Sequence, residues 1–276
     1  MTNNDYDTIL ITGNGFDLNL GLKTGYQDFI VSDAFSNLLK ANNQLCIYLK
    51  NQHELNNWID IENELKEYSK SIYKDSNRNI FRQEYQSLCK SLCDYLNNID
   101  MSYVDNIDET SQAYEILTEK FERLLIFNFN YTLSIEYLLY KKNLNHKVIK
   151  VHGTAKENRI VFGVEDNARI NASDVFLKKS TCIWNKIYDI DKILSNAKDI
   201  IFLGYSLGET DHHYFEQFFK AAAINNFMDR SRKNIFISYY KEDSMYDILK
   251  QIDYMTSNRI QGLRTHQNFE MFDLAK

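Results

Sequence analysis

Proline is absent from all 276 residues, and glycine occurs only nine times. Several of those glycines fall inside turn-like motifs, which makes the motifs easy to find. No run of about 18 apolar residues occurs, which argues against a membrane-spanning helix. The opening MTNNDYD is polar and acidic and lacks the basic start and apolar stretch of a secretory signal, so a cytoplasmic protein is the expectation. An excess of basic charge is also lacking: the formal net charge is −6, which argues against a nucleic-acid partner. Arg230, Arg232 and Lys233 make a small basic cluster, read as a solvated loop before a strand. Of the cysteines, Cys46, Cys89, Cys93 and Cys182, none forms a CxxC pair, and the spacing suggests no zinc site. Cys89 and Cys93 share a helix face. Buried, reduced thiols are expected, and no metal.

What the chain does have is alternation of strand, glycine turn and helix. DTILIT at 7–12 is a β-branched, apolar run that ends in Gly13-Asn14-Gly15-Phe16-Asp17. Further strands are predicted at 123–129 (RLLIFNF), 147–153 (through VIKVHG), 160–163 (IVFG), 198–203 and 234–240. The tail from 243 reads as a helix and a small terminal strand. A helix is also predicted over 173–196. Between the first two strands, residues 26–122 read almost entirely as helix. There Trp58, Ile61, Leu65 and Tyr68 form one apolar stripe, and Phe81, Tyr85, Leu88 and Leu92 another. Nearly 100 helical residues exceed any ordinary βα connection. The expectation is an α/β fold: a Rossmann-like parallel sheet with helices on both faces and a large helical insertion. The core would comprise 1–25 and 123–276, with 26–122 an insertion or lid.

In such sheets ligands bind at the carboxyl ends of the strands, where the chemistry-bearing motifs of this chain fall. Gly13-Asn14-Gly15 offers a tight turn and close approach to a phosphate, with a helix start behind it. The dehydrogenase pattern GxGxxG is incomplete, because Leu18 stands where the third glycine would be, so hydride transfer is disfavoured. A plain tight turn explains the same residues. Asn128 and Asn130, in NFNYT after a strand, are candidates to orient a ribose hydroxyl or a water; a helix cap or turn accounts for them equally. His152 in Val-His-Gly is placed to move a proton near neutrality, although a lone histidine is more often structural. Gly204-Tyr205-Ser206-Leu207-Gly208 is a second glycine turn. It also matches the GxSxG pattern of serine hydrolases, for which Asp253 and His266 follow in the required order. Only one convincing strand follows Ser206, which fits that fold poorly.

Taken in order, ITGNGFDLNLGLKTGYQDF, NWIDIENEL (with Trp58, Asp60 and Glu62), FNFNYT, VHG, VFG and GYSLGETDHHYF resemble the AbiH-type bacteriophage abortive-infection family over residues 8–216. That family is similar in turn to the sirtuin-like domains of bacterial defence systems. The resemblance implies that Gly13, Asn14, Gly15 and Asp17 line an NAD site. It implies Asn130 and His152 as catalytic residues, with Gly204 and Ser206 on the adenosine side. Asn130 is preferred to Asn128 because Tyr131 follows it. The zinc-binding cysteine module of deacetylating sirtuins is missing, so the implied reaction is NAD hydrolysis to nicotinamide and ADP-ribose. NAD is then substrate, and the implied role is to deplete it in infected cells. A phage-derived or partner protein is expected as trigger. Two other readings stand beside this one: an NAD or ADP-ribose sensor without turnover, and a scaffold whose helical block 26–122 is an interface for oligomerisation or for a phage protein. For Trp58, Asp60 and Glu62, a carboxylate at the site competes with a packed helix bearing a polar face.

Overall fold

The computed structural model describes residues 6–56, 60–72, 74, 77–119, 121–186, 188–228 and 231–274. The chain forms two compact units: Met1–Leu22 with Met101–Val151 and Ile187–Lys276, and Lys23–Asp100 with His152–Lys186. Among the described residues no helix is long and apolar enough to cross a membrane.

Among the described residues the strands are β1 (Thr8–Thr12), β2 (Leu124–Asn128), β3 (Lys147–Lys150), β4 (Gly153–Thr154), β5 (Arg159–Ile160), β6 (Asp199–Leu203), β7 (Asn234–Tyr239) and β8 (Asn268–Asp273). Six of them build one sheet in the first unit, in the order β3-β2-β1-β6-β7-β8, and every neighbouring pair is parallel. Strands β1 and β2 are buried at every position, as strands covered on both faces must be. Ile9, Ile11, Phe127, Phe202 and Ile237 face one helical layer and join a cluster with Leu194, Phe218, Phe219, Ala222 and Ile252. The alternate residues Leu10, Ile126 and Ile201 point to the other face and are buried too. The expected Rossmann-like α/β sheet is therefore what forms. Its order runs outward from β1 to β3 on one side and from β6 to β8 on the other. The reversal between β1 and β6 opens a crevice at their carboxyl ends.

The second unit holds the helices Tyr26–Ile30, Asp33–Lys40, Gln44–Asn56, Ile61–Ser71 and Arg78–Asn97. Both predicted stripes lie here: Phe81, Tyr85, Leu88 and Leu92 are buried, as are Ile61 and Leu65, while Trp58 lies outside the described residues. Two charge pairs tie the 152–186 segment to these helices. Arg78 meets Asp174 at 2.5 Å, with Ser69 donating to the same carboxylate oxygen at 2.7 Å, and Lys179 meets Glu62 at 3.1 Å.

The structure departs from the sequence reading in three places. Segment 152–186, assigned by sequence to the core, groups with the helical block. Strand β3 stops at Lys150, because Gly153 takes φ +74 and turns the chain into the antiparallel hairpin β4–β5, so IVFG adds no strand to the main sheet. The predicted helix 173–196 is two 3₁₀ turns, Ala172–Leu177 and Lys179–Thr181, and a separate helix, Ile190–Asn196. Asp174 leaves helical geometry there, at φ −100 and ψ 25, and its carboxylate pairs with Arg78. The small strand expected in the tail is β8, which completes the sheet as a half-buried edge strand, so two strands follow Ser206.

Candidate functional site

Four strands deliver polar residues to the carboxyl edge of the sheet in the first unit. Strand β1 leads into Gly13-Asn14-Gly15 and the six-residue helix Asn14–Asn19, which carries Asp17. Strand β2 ends at Asn128 and runs through Asn130 and Thr132 into the helix Ser134–Lys141. Strand β3 ends at Lys150, and β6 leads into Gly204-Tyr205-Ser206.

The glycines are required by the contact of the two turns with each other. Gly15 N donates to Gly204 O at 2.8 Å, and Gly13 N donates to Leu203 O at 3.2 Å. Gly204 adopts φ +60, and a Cβ there would stand 2.0 Å from Phe16 N. A Cβ on Gly13 would stand 2.5 Å from the Tyr205 ring, and one on Gly15 2.8 Å from Gly204 O. The plain tight-turn reading therefore accounts for these glycines. Because Phe16 N also bonds Gly13 O, the amides of Gly15 and Phe16 are already engaged. Asn14 and Ser206 are the exposed side chains of the two turns.

Behind the turns lies a buried polar network. Asp17 is completely buried. Thr132 Oγ1 donates to its Oδ2 at 2.5 Å, and Ser134 Oγ donates to its Oδ1. Burial pushes the Asp17 carboxyl above the usual carboxylate range, opposed by the two hydroxyls, the Lys150 charge and the Asn130 amide. With both oxygens occupied, Asp17 meets a ligand only through the groups it holds, not by lining a pocket itself. Lys150 Nζ donates to Thr132 O at 2.5 Å and stands 3.8 Å from Glu136 Oε1. Burial lowers its pKa to about 8, against the pull of Glu136 and Asp17. Asn128 Nδ2 in turn donates to Glu136 Oε2 at 3.2 Å, and Asn128 Oδ1 accepts Asn130 N at 2.9 Å.

This arrangement separates the two asparagines. Asn128 is the last residue of β2, and its side-chain amide is used at both ends. The Asn130 side chain is 5% exposed, and its Nδ2 has no hydrogen-bond partner in bonding geometry. It lies close enough to lower the Asp17 pKa, so we treat it as an oriented dipole beside the carboxylate rather than a third bond to it. Thr132, Ser134, Glu136 and Lys150 were missed by sequence reasoning. The one available signal was Lys150 itself, a lysine in the middle of the apolar run VIKV.

His152 belongs to the second unit, is buried, and accepts Val161 N at 2.8 Å on its carbonyl. Gly153 beside it serves the hairpin, since a Cβ there would stand 1.8 Å from Arg159 O. Asp60 caps the helix Ile61–Ser71 by accepting Asn63 N at 3.2 Å, and Glu62 is committed to the buried pair with Lys179. Ser206 is exposed, but the positive-φ residues of its turn are Gly204 and Leu207, not the serine itself. His266 stands two residues before the start of β8 and so at the amino edge of the sheet. Asp253 sits near the end of the helix Lys241–Met255, which starts at the carboxyl end of β7 and runs back. A strand of five residues separates the two edges by about 17 Å, so Ser206, Asp253 and His266 do not form a triad. Lys233 is buried, 5.0 Å over the Phe227 ring, which removes it from any solvated basic loop, and Arg230 lies outside the described residues.

No curated protein matches this chain. A model of the family described as bacteriophage abortive infection AbiH matches residues 9–229, a span that begins in β1 and includes both glycine turns, the Asn128–Lys150 network and His152. The chain belongs to the bacteriophage abortive-infection AbiH family.

Proposed function

We propose that this AbiH protein acts in abortive infection by hydrolysing NAD+, taking up water and releasing nicotinamide, ADP-ribose and a proton. The observation that carries the reading is the reversal of strand order between β1 and β6, with Asn14 and Ser206 exposed on the turns at that point. Parallel sheets of this order bind nucleotides there. In this reading the turns Gly13-Asn14-Gly15 and Gly204-Tyr205-Ser206 receive the dinucleotide. Asn130 orients the attacking water or a ribose hydroxyl, and His152 polarises or deprotonates it. The leaving nicotinamide is already cationic and the transition state is oxocarbenium-like, so orientation and fixed dipoles supply most of what is needed. The sirtuin-like character of the site comes from the resemblance of its motifs.

Chromatography of NAD+ incubated with wild type, Asn130→Ala and His152→Ala tests this. Nicotinamide and ADP-ribose are expected from wild type alone, and unchanged yields in EDTA. Equal yields from both variants would remove the assigned roles.

The near-complete burial of Asn130 and Asp17 also fits a sensor that closes on NAD or ADP-ribose without turnover. Calorimetry would then show binding by wild type while chromatography shows no product.

A further inference from the structure

We propose that Lys150 and Asp17 are the positioning pair of this site, joined through Thr132 and holding the 128–134 loop so that the Asn130 amide keeps one orientation. The consequence for catalysis rests on the NAD-hydrolysis reading; the geometry does not.

Three features support the pairing. Lys150 and Asp17 are linked through one residue: Lys150 Nζ binds the Thr132 carbonyl, and the Thr132 hydroxyl binds Asp17. The second unit shows the contrasting arrangement, where Arg78 and Asp174 meet directly at 2.5 Å. A direct pair serves to neutralise charge. A pair split across a loop residue also fixes that residue at two points, its carbonyl and its hydroxyl. The loop is held at its other end as well, since Asn128 bonds Asn130 N and is itself bonded to Glu136, 3.8 Å from Lys150. Asn130 is thus bracketed on both sides by one connected network, while its own Nδ2 is buried beside the Asp17 carboxylate without a partner in bonding geometry. Buried charge is a poor device for stability alone, because apolar residues of the same volume do as well or better.

The charged groups facing Lys150 are Asp17 on the helix after β1 and Glu136 on the helix after β2; Thr132, Ser134 and Asn128 are neutral. When Lys150 loses its proton, Thr132 O loses a charged donor and Asp17 loses its counter-charge. The loop then loosens and Asn130 is no longer fixed. Burial lowers the Lys150 pKa to about 8, which brings its titration into the mildly alkaline range.

The test follows the side-chain amide resonances of Asn130 by NMR in the ligand-free full chain, assigned with Asn130→Ala, from pH 6.5 to 9. In wild type they are expected to move with a midpoint near the Lys150 pKa. The movement should vanish in Lys150→Met and in Lys150→Arg (which keeps its charge). NAD turnover supplies the second readout: Lys150→Met should lower kcat by about 10- to 100-fold with KM changed less than about 2-fold. Lys150→Arg should retain activity and lose the alkaline fall in kcat. An Asn130 signal indifferent to pH in wild type would overturn the proposal even if both lysine variants failed to fold. An alkaline fall persisting in Lys150→Arg would overturn it too. A wild type that makes no nicotinamide would remove the NAD reading, while the resonance titration would still decide the positioning role.

Discussion

Replacing Gly204 with alanine tests whether the two glycine turns are specified by their contact with each other. The new Cβ would stand 2.0 Å from Phe16 N and 2.6 Å from the Gly15 carbonyl carbon, both backbone atoms that cannot swing aside. Residue 204 also takes φ +60, where an L side chain costs about 1–2 kcal/mol. Relieving the overlap by moving the backbone adds about 1–3 kcal/mol. The lower conformational freedom of alanine in the unfolded chain returns about 0.4–1 kcal/mol. The net expectation is a loss of about 2–4 kcal/mol, a large share of the ~5–15 kcal/mol typical of a folded protein. Gly208→Ala is the control: its φ is −55, and the nearest atom to a Cβ is Ser206 Oγ at 3.8 Å. Its cost should stay within about 1 kcal/mol, the range of a lost glycine cap. Urea denaturation followed by far-UV circular dichroism measures both. Hydrogen exchange should place the Gly204→Ala loss in peptides covering 8–20 and 199–207. A Gly204→Ala protein no less stable than Gly208→Ala would refute the turn-contact argument and return these glycines to ligand approach.

Three further predictions concern buried groups. Removing one partner of the Arg78–Asp174 pair, as in Asp174→Ala, should cost about 3–5 kcal/mol, whereas Arg78→Met with Asp174→Leu should recover most of it; comparable losses in single and double variants by urea denaturation would contradict this. The Asp191 carboxyl is raised to about 6 by burial, so its ionised form is disfavoured in the folded state and wild-type stability should fall as pH rises from about 4 to about 6. Asp191→Asn keeps an acceptor for Phe218 N, so its stability relative to wild type should grow across that window and level off above it; a difference constant with pH in thermal melts would be inconsistent. Burial pushes the thiol of Cys46 up to about 12 and that of Cys93 to about 11, so iodoacetamide at pH 8 should leave these two unmodified in native protein while labelling them in urea; rapid native labelling, read by mass spectrometry, would count against their burial.

Much of the sheet was legible because its central strands are short, continuous apolar runs ending in glycine or asparagine. TILIT, LLIFN and DIIFL gave β1, β2 and β6 within a residue or two. The hairpin β4–β5 was misassigned to the sheet because VIKVHG looks continuous, and only the positive φ of Gly153 ends it. The helix expected over 173–196 failed because local period competes there with a charge pair whose partner is 96 residues away. At the site, Asn130 was visible through its motif, but Thr132, Ser134, Glu136 and Lys150 were not. Hydroxyls and lysines near strand ends are common, and nothing local marks these as neighbours.

By itself, then, the sequence determined the parallel α/β core, the order of its motifs and their place at strand ends, because period, turn residues and apolar runs are local properties of a chain. Only the tertiary structure decided what those motifs touch. It spent the glycines on turn packing, buried Asp17 beneath two hydroxyls, set Asn128 apart from Asn130, and moved His266 to the opposite edge from Ser206. Each of these depends on strands distant in sequence lying side by side, and that pairing is fixed by burial of the whole sheet rather than by any one segment.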